Sequence, residues 1–145
     1  MILTIGFTLL AVPTVWLDLR ARKIPVWFCI AFTVAAVTLN LVFKWISIWE
    51  VLFGLVFGGA FLLFSVVSRE ALGMGDGWLI LAGSVWCGVF AAMEITLISL
   101  LLAGLCGAVY MIVKKKGWKT RLPFAPFYGV TAVGWSILTW ILEGR

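Results

Sequence analysis

The stretch Gly73-Met74-Gly75-Asp76-Gly77-Trp78 lies between two long apolar runs, so its carboxyl group falls where a membrane would meet water. Glycines stand on both sides of Asp76, and their missing side chains let a backbone approach another helix closely. The chain has one other aspartate, Asp18, at the end of the first apolar run. We predict that the two aspartates meet across a helix bundle.

The composition predicts a membrane protein. Of the 145 residues, 64% are hydrophobic and 12% are charged, whereas a soluble domain averages roughly 45–50% apolar and about 25% charged residues. A membrane-spanning helix needs about 20 mainly apolar residues. We therefore expect an all-α integral membrane protein, a single polytopic domain over residues 1–145 formed by a bundle of about six transmembrane helices.

Six apolar runs can be read along the chain, separated by short polar breaks. Pro13 lies inside the first run, where neighbouring helices can satisfy the carbonyl that a proline frees. Lys44 to Glu50 is predicted to form a loop, and Glu94 is predicted to divide the fourth run from the fifth. The predicted spans are about 1–17, 25–43, 51–67, 77–93, 95–113 and 123–142.

The basic residues predict the orientation. Nine of the 11 lysines and arginines lie in the first, third and fifth connections, and only Lys44 and Arg145 lie on the other side. An excess of Lys and Arg marks cytoplasmic loops, which predicts a cytoplasmic-membrane protein with both termini outside. Both aspartates then lie on the cytoplasmic side. This topology and the lipid bilayer account for the net charge of +5, so we expect no nucleic-acid partner.

The residue types narrow the possible chemistry. The chain has no histidine, which excludes Ser-His and Cys-His nucleophiles and the HExxH zinc site. The glycine-rich stretch does not fit GxGxxG, and the three cysteines lie apart inside apolar runs. Acid–base chemistry must therefore come from carboxylates. When two carboxyl groups are close, one keeps a proton, and such a pair can hydrolyse an amide bond.

Helix position suggests how the pair divides its roles. Asp76 precedes a helix, whose N-terminus favours negative charge, while Asp18 ends one, where the dipole opposes it. Arg20 and Arg22 are near enough in sequence to offset that effect. We expect Asp76 to be the usual base and Asp18 the usual acid, titrating as a unit. The alternative is that both aspartates are ordinary helix-end residues in water and that the glycines form a flexible turn.

Two motifs resemble those of the type IV prepilin peptidases, the GxGD family of membrane aspartyl proteases. Asp18-Leu19-Arg20 followed by Ile24-Pro25 is similar to the family pattern D-x-R-x-x-x-I-P, and Gly73-Met74-Gly75-Asp76 is similar to GxGD. A weaker similarity lies at Leu122-Pro123-Phe124-Ala125-Pro126-Phe127 with Gly129. The resemblance in order and spacing covers nearly the whole chain.

The resemblance implies an aspartic endopeptidase, a hydrolase of the short form. Asp18 and Asp76 would be catalytic, Gly73, Gly75 and Arg20 would support the catalytic loop, and neither a cofactor nor a metal is expected. The implied substrate is a prepilin-like or preflagellin-like precursor whose basic leader is removed at the cytoplasmic face while its apolar helix lies in lipid. The chain has no cysteine-rich insert, so we do not expect the N-methyltransferase activity of the larger bacterial members.

Two departures and two other functions remain open. The family often has Lys where this chain has Trp78, and a polar residue where it has Val26, so the natural substrate and subfamily are not fixed. A non-catalytic assembly protein for a pilus or secretion system would keep the same fold. A small proton-coupled transporter could use both aspartates, although transporters usually place such groups near the midplane. Neither the host nor the oligomeric state follows from the sequence.

Overall fold

A computed structural model describes residues 2–21, 26–68, 73–114 and 124–143. Within these ranges all regular structure is helical, which confirms the predicted all-α class. The helices in chain order are α1 Ile2–Ala21, α2 Val26–Phe43, α3 Ile48–Ser68, α4 Met74–Cys87, α5 Val89–Lys114 and α6 Ala125–Glu143.

Four of these six helices are long and apolar enough to cross a membrane by length and composition. They provide the segments Val26–Phe43, Ile48–Ser68, Val89–Val113 and Ala125–Leu142. Helix α1 holds a shorter apolar segment, Gly6–Trp16. These helices confirm the predicted multi-pass membrane protein, because each apolar segment needs lipid or another helix to cover it.

Helix α4 is the central element of the bundle. It packs against α1, α2, α3 and α5, and every residue from Leu79 to Trp86 is buried. A helix that is apolar on all sides is a buried helix. Its 14 residues rise about 21 Å, less than the roughly 30 Å hydrocarbon core. Other parts of the protein therefore cover residues Leu79–Trp86 of α4 on all sides.

Small residues allow α3 to lie close along α4. A Cβ added to Gly58 would stand 2.5 Å from Cα of Leu81, so no larger residue fits there without moving backbone. The Ser84 hydroxyl donates a 2.8 Å hydrogen bond to the Gly54 carbonyl. Gly54 and Gly58 thus form a GxxxG face, a common means of close helix packing in membranes.

The boundary between the fourth and fifth helices was predicted wrongly. Helix α4 ends at Cys87 and α5 begins at Val89, because Gly88 turns the chain with a φ of 83°. Glu94 does not interrupt the helix, since it lies inside α5 and its Oε2 accepts a 3.0 Å hydrogen bond from Nε1 of Trp135 in α6. This hydrogen bond compensates part of the cost of a carboxylate in an apolar helix.

Aromatic contacts join the first and last helices. The rings of Phe7 in α1 and Tyr128 in α6 meet edge to face at 6.2 Å, and both side chains are fully buried. Helix α6 begins where the Phe124 carbonyl accepts hydrogen bonds from the backbone N–H groups of Phe127 and Tyr128. The proline-rich segment noted in the sequence therefore starts α6 beside α1.

Candidate active site

The antiparallel packing of α1 and α4 brings both aspartates to one end of the bundle. Near the other end, Gly6 of α1 lies against the ring of Trp86 in α4. Asp18 lies about 18 Å along α1 from Gly6, and Asp76 lies about 15 Å along α4 from Trp86. Two antiparallel helices in contact at one end therefore carry Asp18 and Asp76 to nearly the same depth.

The first turn of α4 holds the Asp76 carboxylate in place. Gly73 is the N-cap, and its carbonyl accepts hydrogen bonds from the backbone N–H groups of Asp76 and Gly77 at 3.0 and 3.2 Å. In return, the Gly73 N–H donates to the Asp76 side chain. This is the second half of a capping box, in which the side chain at the third helical position reaches back to the N-cap.

Burial and Asp18 together determine the protonation of Asp76, which lies outside the four candidate spans. Burial raises the pKa of Asp76 from its ordinary value of 3.8 to about 7, and the Asp18 carboxylate contributes to this rise, while the Gly73 hydrogen bond opposes it. Asp18 is itself 7% exposed. The structure thus brings the two aspartates within electrostatic reach. Burial and Asp18 therefore outweigh the effect of the helix N-terminus on the pKa of Asp76, and the assignment of Asp76 as the usual base and Asp18 as the usual acid stays a prediction.

The other predicted site residues occupy different positions. Gly75 lies half-buried in the first turn of α4, and its supporting role stays a prediction. Arg20 is exposed, with its guanidinium carbon 5.1 Å from the centre of the Trp16 ring, a cation–π contact. Trp78 packs against the buried core. Of the motif residues, 22–25 and 122–123 lie outside the described ranges.

One neighbour of Asp76 was not predicted as part of the site, and one predicted close approach of a glycine to another helix is confirmed. Cys29 of α2 is fully buried and lies near Asp76, although the sequence placed it only inside an apolar run. A Cβ on Gly77 would stand 3.1 Å from both Cα of Leu62 and Cβ of Ser65, so this glycine sets the approach of α3. The position of Cys29 depends on which helices are neighbours, for which the sequence gives no local signal.

The fold defines a polytopic helical membrane protein, and it brings two carboxyl groups within electrostatic reach at one end of the bundle. Comparison with known families gives a match to the type IV leader peptidase family over residues 2–112. This match covers most of the chain, including both aspartate motifs. The chain belongs to the type IV leader peptidase family.

Curated relatives carry names of the same kind. The chain is 31% identical over 75 residues to a prepilin leader peptidase/N-methyltransferase of Xanthomonas campestris. The aligned segment makes up 52% of this chain and 25% of that protein. It is 41% identical over 61 residues to a type 4 prepilin-like proteins leader peptide-processing enzyme of Escherichia coli. That alignment makes up 42% of this chain and 21% of the Escherichia coli protein. A prepilin leader peptidase/N-methyltransferase of Pseudomonas putida is 26% identical over 131 residues. That alignment makes up 90% of this chain and 41% of the Pseudomonas putida protein.

The chain thus aligns with less than half the length of each of these relatives. No solved structure matches it.

Proposed function

We propose that this chain is an aspartic endopeptidase that removes the short basic leader from prepilin-like or preflagellin-like precursors. The observation that carries the proposal is the electrostatic interaction of Asp18 with Asp76, two buried or half-buried carboxyl groups on adjoining helices. Family membership and the names of the relatives support the same reaction.

The pair catalyses hydrolysis by sharing one proton. One carboxylate accepts a proton from water, whose oxygen attacks the carbonyl carbon of the scissile amide. The protonated partner donates to the carbonyl oxygen as the tetrahedral intermediate forms. Proton return to the amide nitrogen then breaks the C–N bond, releasing the leader with a new carboxyl group and the mature protein with a new amine. Burial and the Asp18 charge raise the pKa of Asp76 to about 7, so the pair can hold one proton between its two carboxyl groups near neutral pH.

The site lies at the cytoplasmic face of the cytoplasmic membrane in this proposal. Nine of the 11 basic residues fall in the first, third and fifth connections, and the positive-inside rule then places both termini outside. The substrate's apolar helix would lie in the bilayer beside the bundle. Its leader would thereby reach the aspartates at the membrane surface.

The proposal is limited to peptidase chemistry within a single domain over residues 1–145. The two aspartates supply the proton transfers that hydrolysis needs, with Gly73, Gly75 and Arg20 as supporting residues and without a metal or cofactor. Two of the relatives are named for N-methyltransfer as well. We propose that this chain lacks that second activity, because it has no cysteine-rich insert between its helices.

Leader removal in cells tests the proposal. A prepilin-like precursor is co-expressed with the wild type, Asp18→Asn or Asp76→Asn, and the loss of the leader is followed by gel shift. Glu94→Gln is the matched control, since Glu94 contacts α6 and lies away from the pair. We expect both aspartate variants to leave the precursor uncut at normal membrane abundance, which would also exclude a purely assembling role. Full processing by both variants would overturn the proposal.

A further inference from the structure

A groove of about 370 Å³ lies between the end of α2 and the start of α3. Its volume falls within the roughly 300–1,000 Å³ range of small-molecule sites. Helix α2 runs from the neighbourhood of Asp76, at Cys29, to Phe43. The groove therefore lies at the end of the bundle opposite the aspartates.

The groove changes character from its wall to its mouth. Val37, Leu41 and Val51 line the wall and belong to the candidate spans α2 and α3. Lys44 and Ser47 line the mouth, in the connection between the two spans. An apolar wall formed by two candidate spans, with a polar mouth in the connection between them, matches the amphipathic shape of a membrane lipid.

The loop at the mouth is held in a defined conformation. Asn40 is buried, and its Oδ1 accepts a 3.0 Å hydrogen bond from the Ile46 N–H. The Lys44 N–H donates a 2.8 Å hydrogen bond to the Asn40 carbonyl. These two hydrogen bonds fix where Lys44 leaves the helix.

Lys44 occupies a backbone position that favours glycine. Its φ is 51°, in the left-handed region that side chains other than glycine and asparagine rarely adopt. Helices commonly end with glycine in this conformation, so the backbone alone gives no reason for lysine. Lys44 is also the only charged residue among those that line the groove.

We propose that this groove binds an anionic phospholipid of the bilayer, with an acyl chain along the apolar wall and its phosphate on the Lys44 ammonium group. The charge of Lys44 complements the phosphate, and a lysine near an anionic lipid surface contributes favourably to binding. The site is separate from the aspartate pair and does not depend on the peptidase proposal.

Native mass spectrometry of the full chain in neutral detergent tests the proposal. Phosphatidylglycerol and phosphatidylcholine with identical acyl chains are added in equal amounts. We expect about fivefold preferential retention of phosphatidylglycerol, the factor expected from one lysine. Lys44→Gly should remove the preference while keeping the lipid-free thermal midpoint of the wild type, because glycine suits this backbone. Lys44→Arg should keep the preference.

Several results would overturn the proposal. One is equal retention of the two lipids by the wild type, and another is an unchanged preference in Lys44→Gly. Inorganic phosphate competing away phosphatidylglycerol at equal concentration would show that the acyl chain does not contribute. A dimer that Leu41→Trp dissociates, with no retained lipid, would assign the groove to a second copy of the chain.

Discussion

Oδ2 of Asp76 lies 2.9 Å from the position that a Cβ would take on Gly73. The backbone of Gly73 has a φ of −65° and a ψ of 143°, which any residue can adopt. Glycine therefore leaves space for the carboxylate, whereas a Cβ would displace the end of the Asp76 side chain. The N–H of Gly73 also donates a hydrogen bond that orients the Asp76 carboxylate.

Gly73→Ala should reduce leader cleavage without unfolding the protein. The added methyl group displaces the Asp76 carboxylate, and misplacement by about 1 Å can lower a rate by about 100-fold. The thermal midpoint should change little, because Gly73 is exposed and its backbone conformation suits alanine. Cleavage of a purified precursor and thermal unfolding measure both effects. Gly134→Ala, where a Cβ meets nothing within 4 Å, is the control, and equal cleavage by both variants would contradict this account.

Two adjacent glycines in α3 should respond differently to alanine. A Cβ on Gly58 would meet the Leu81 backbone at 2.5 Å, while one on Gly59 would meet nothing within 4 Å. Gly58→Ala should lower the free energy of unfolding by about 1–3 kcal/mol, as overpacking does. Gly59→Ala should leave it unchanged or raise it, because alanine favours helix over glycine. Unfolding in detergent compares the pair, and equal destabilisation would contradict close packing of α3 on α4.

The raised pKa of Asp76 predicts a pH-dependent stability. Between about pH 4 and pH 7 the native state holds more protons than the unfolded state, so the free energy of unfolding falls as pH rises through this window. Asp76→Asn does not titrate, and should therefore be more stable than the wild type at pH 8 but similar at pH 4. Thermal unfolding at both values measures this difference. A stability gain that is the same at both pH values would show that Asp76 is not titrating as described.

Much of the architecture follows from the pattern of apolar runs. Long runs without charge require helices in lipid, and the six predicted spans match six helices in number and order, although the fourth predicted span runs past Gly88 into α5. The depth of the aspartates follows from the same pattern, because Asp18 ends one run and Asp76 begins another. The proximity of Asp18 to Asp76 does not follow from this pattern, because hydropathy gives no information on which helices are neighbours.

The errors have physical causes. Glu94 resembled a break because a carboxylate is costly in an apolar run, but Trp135 donates a hydrogen bond to it across the bundle. Gly88 gave no signal among apolar neighbours, although its φ of 83° ends α4. The first missed influence is a tertiary contact, and the second is the local backbone conformation of Gly88.

The most direct test of the proton-sharing pair is an infrared titration of the Asp76 carboxyl group in the reconstituted protein. Asp76→Asn identifies the band, and the wild type is then compared with Asp18→Asn. We predict a midpoint near pH 7 in the wild type and a lower midpoint in Asp18→Asn, because removing a nearby negative charge makes ionisation easier. An identical midpoint in the two proteins would contradict the account.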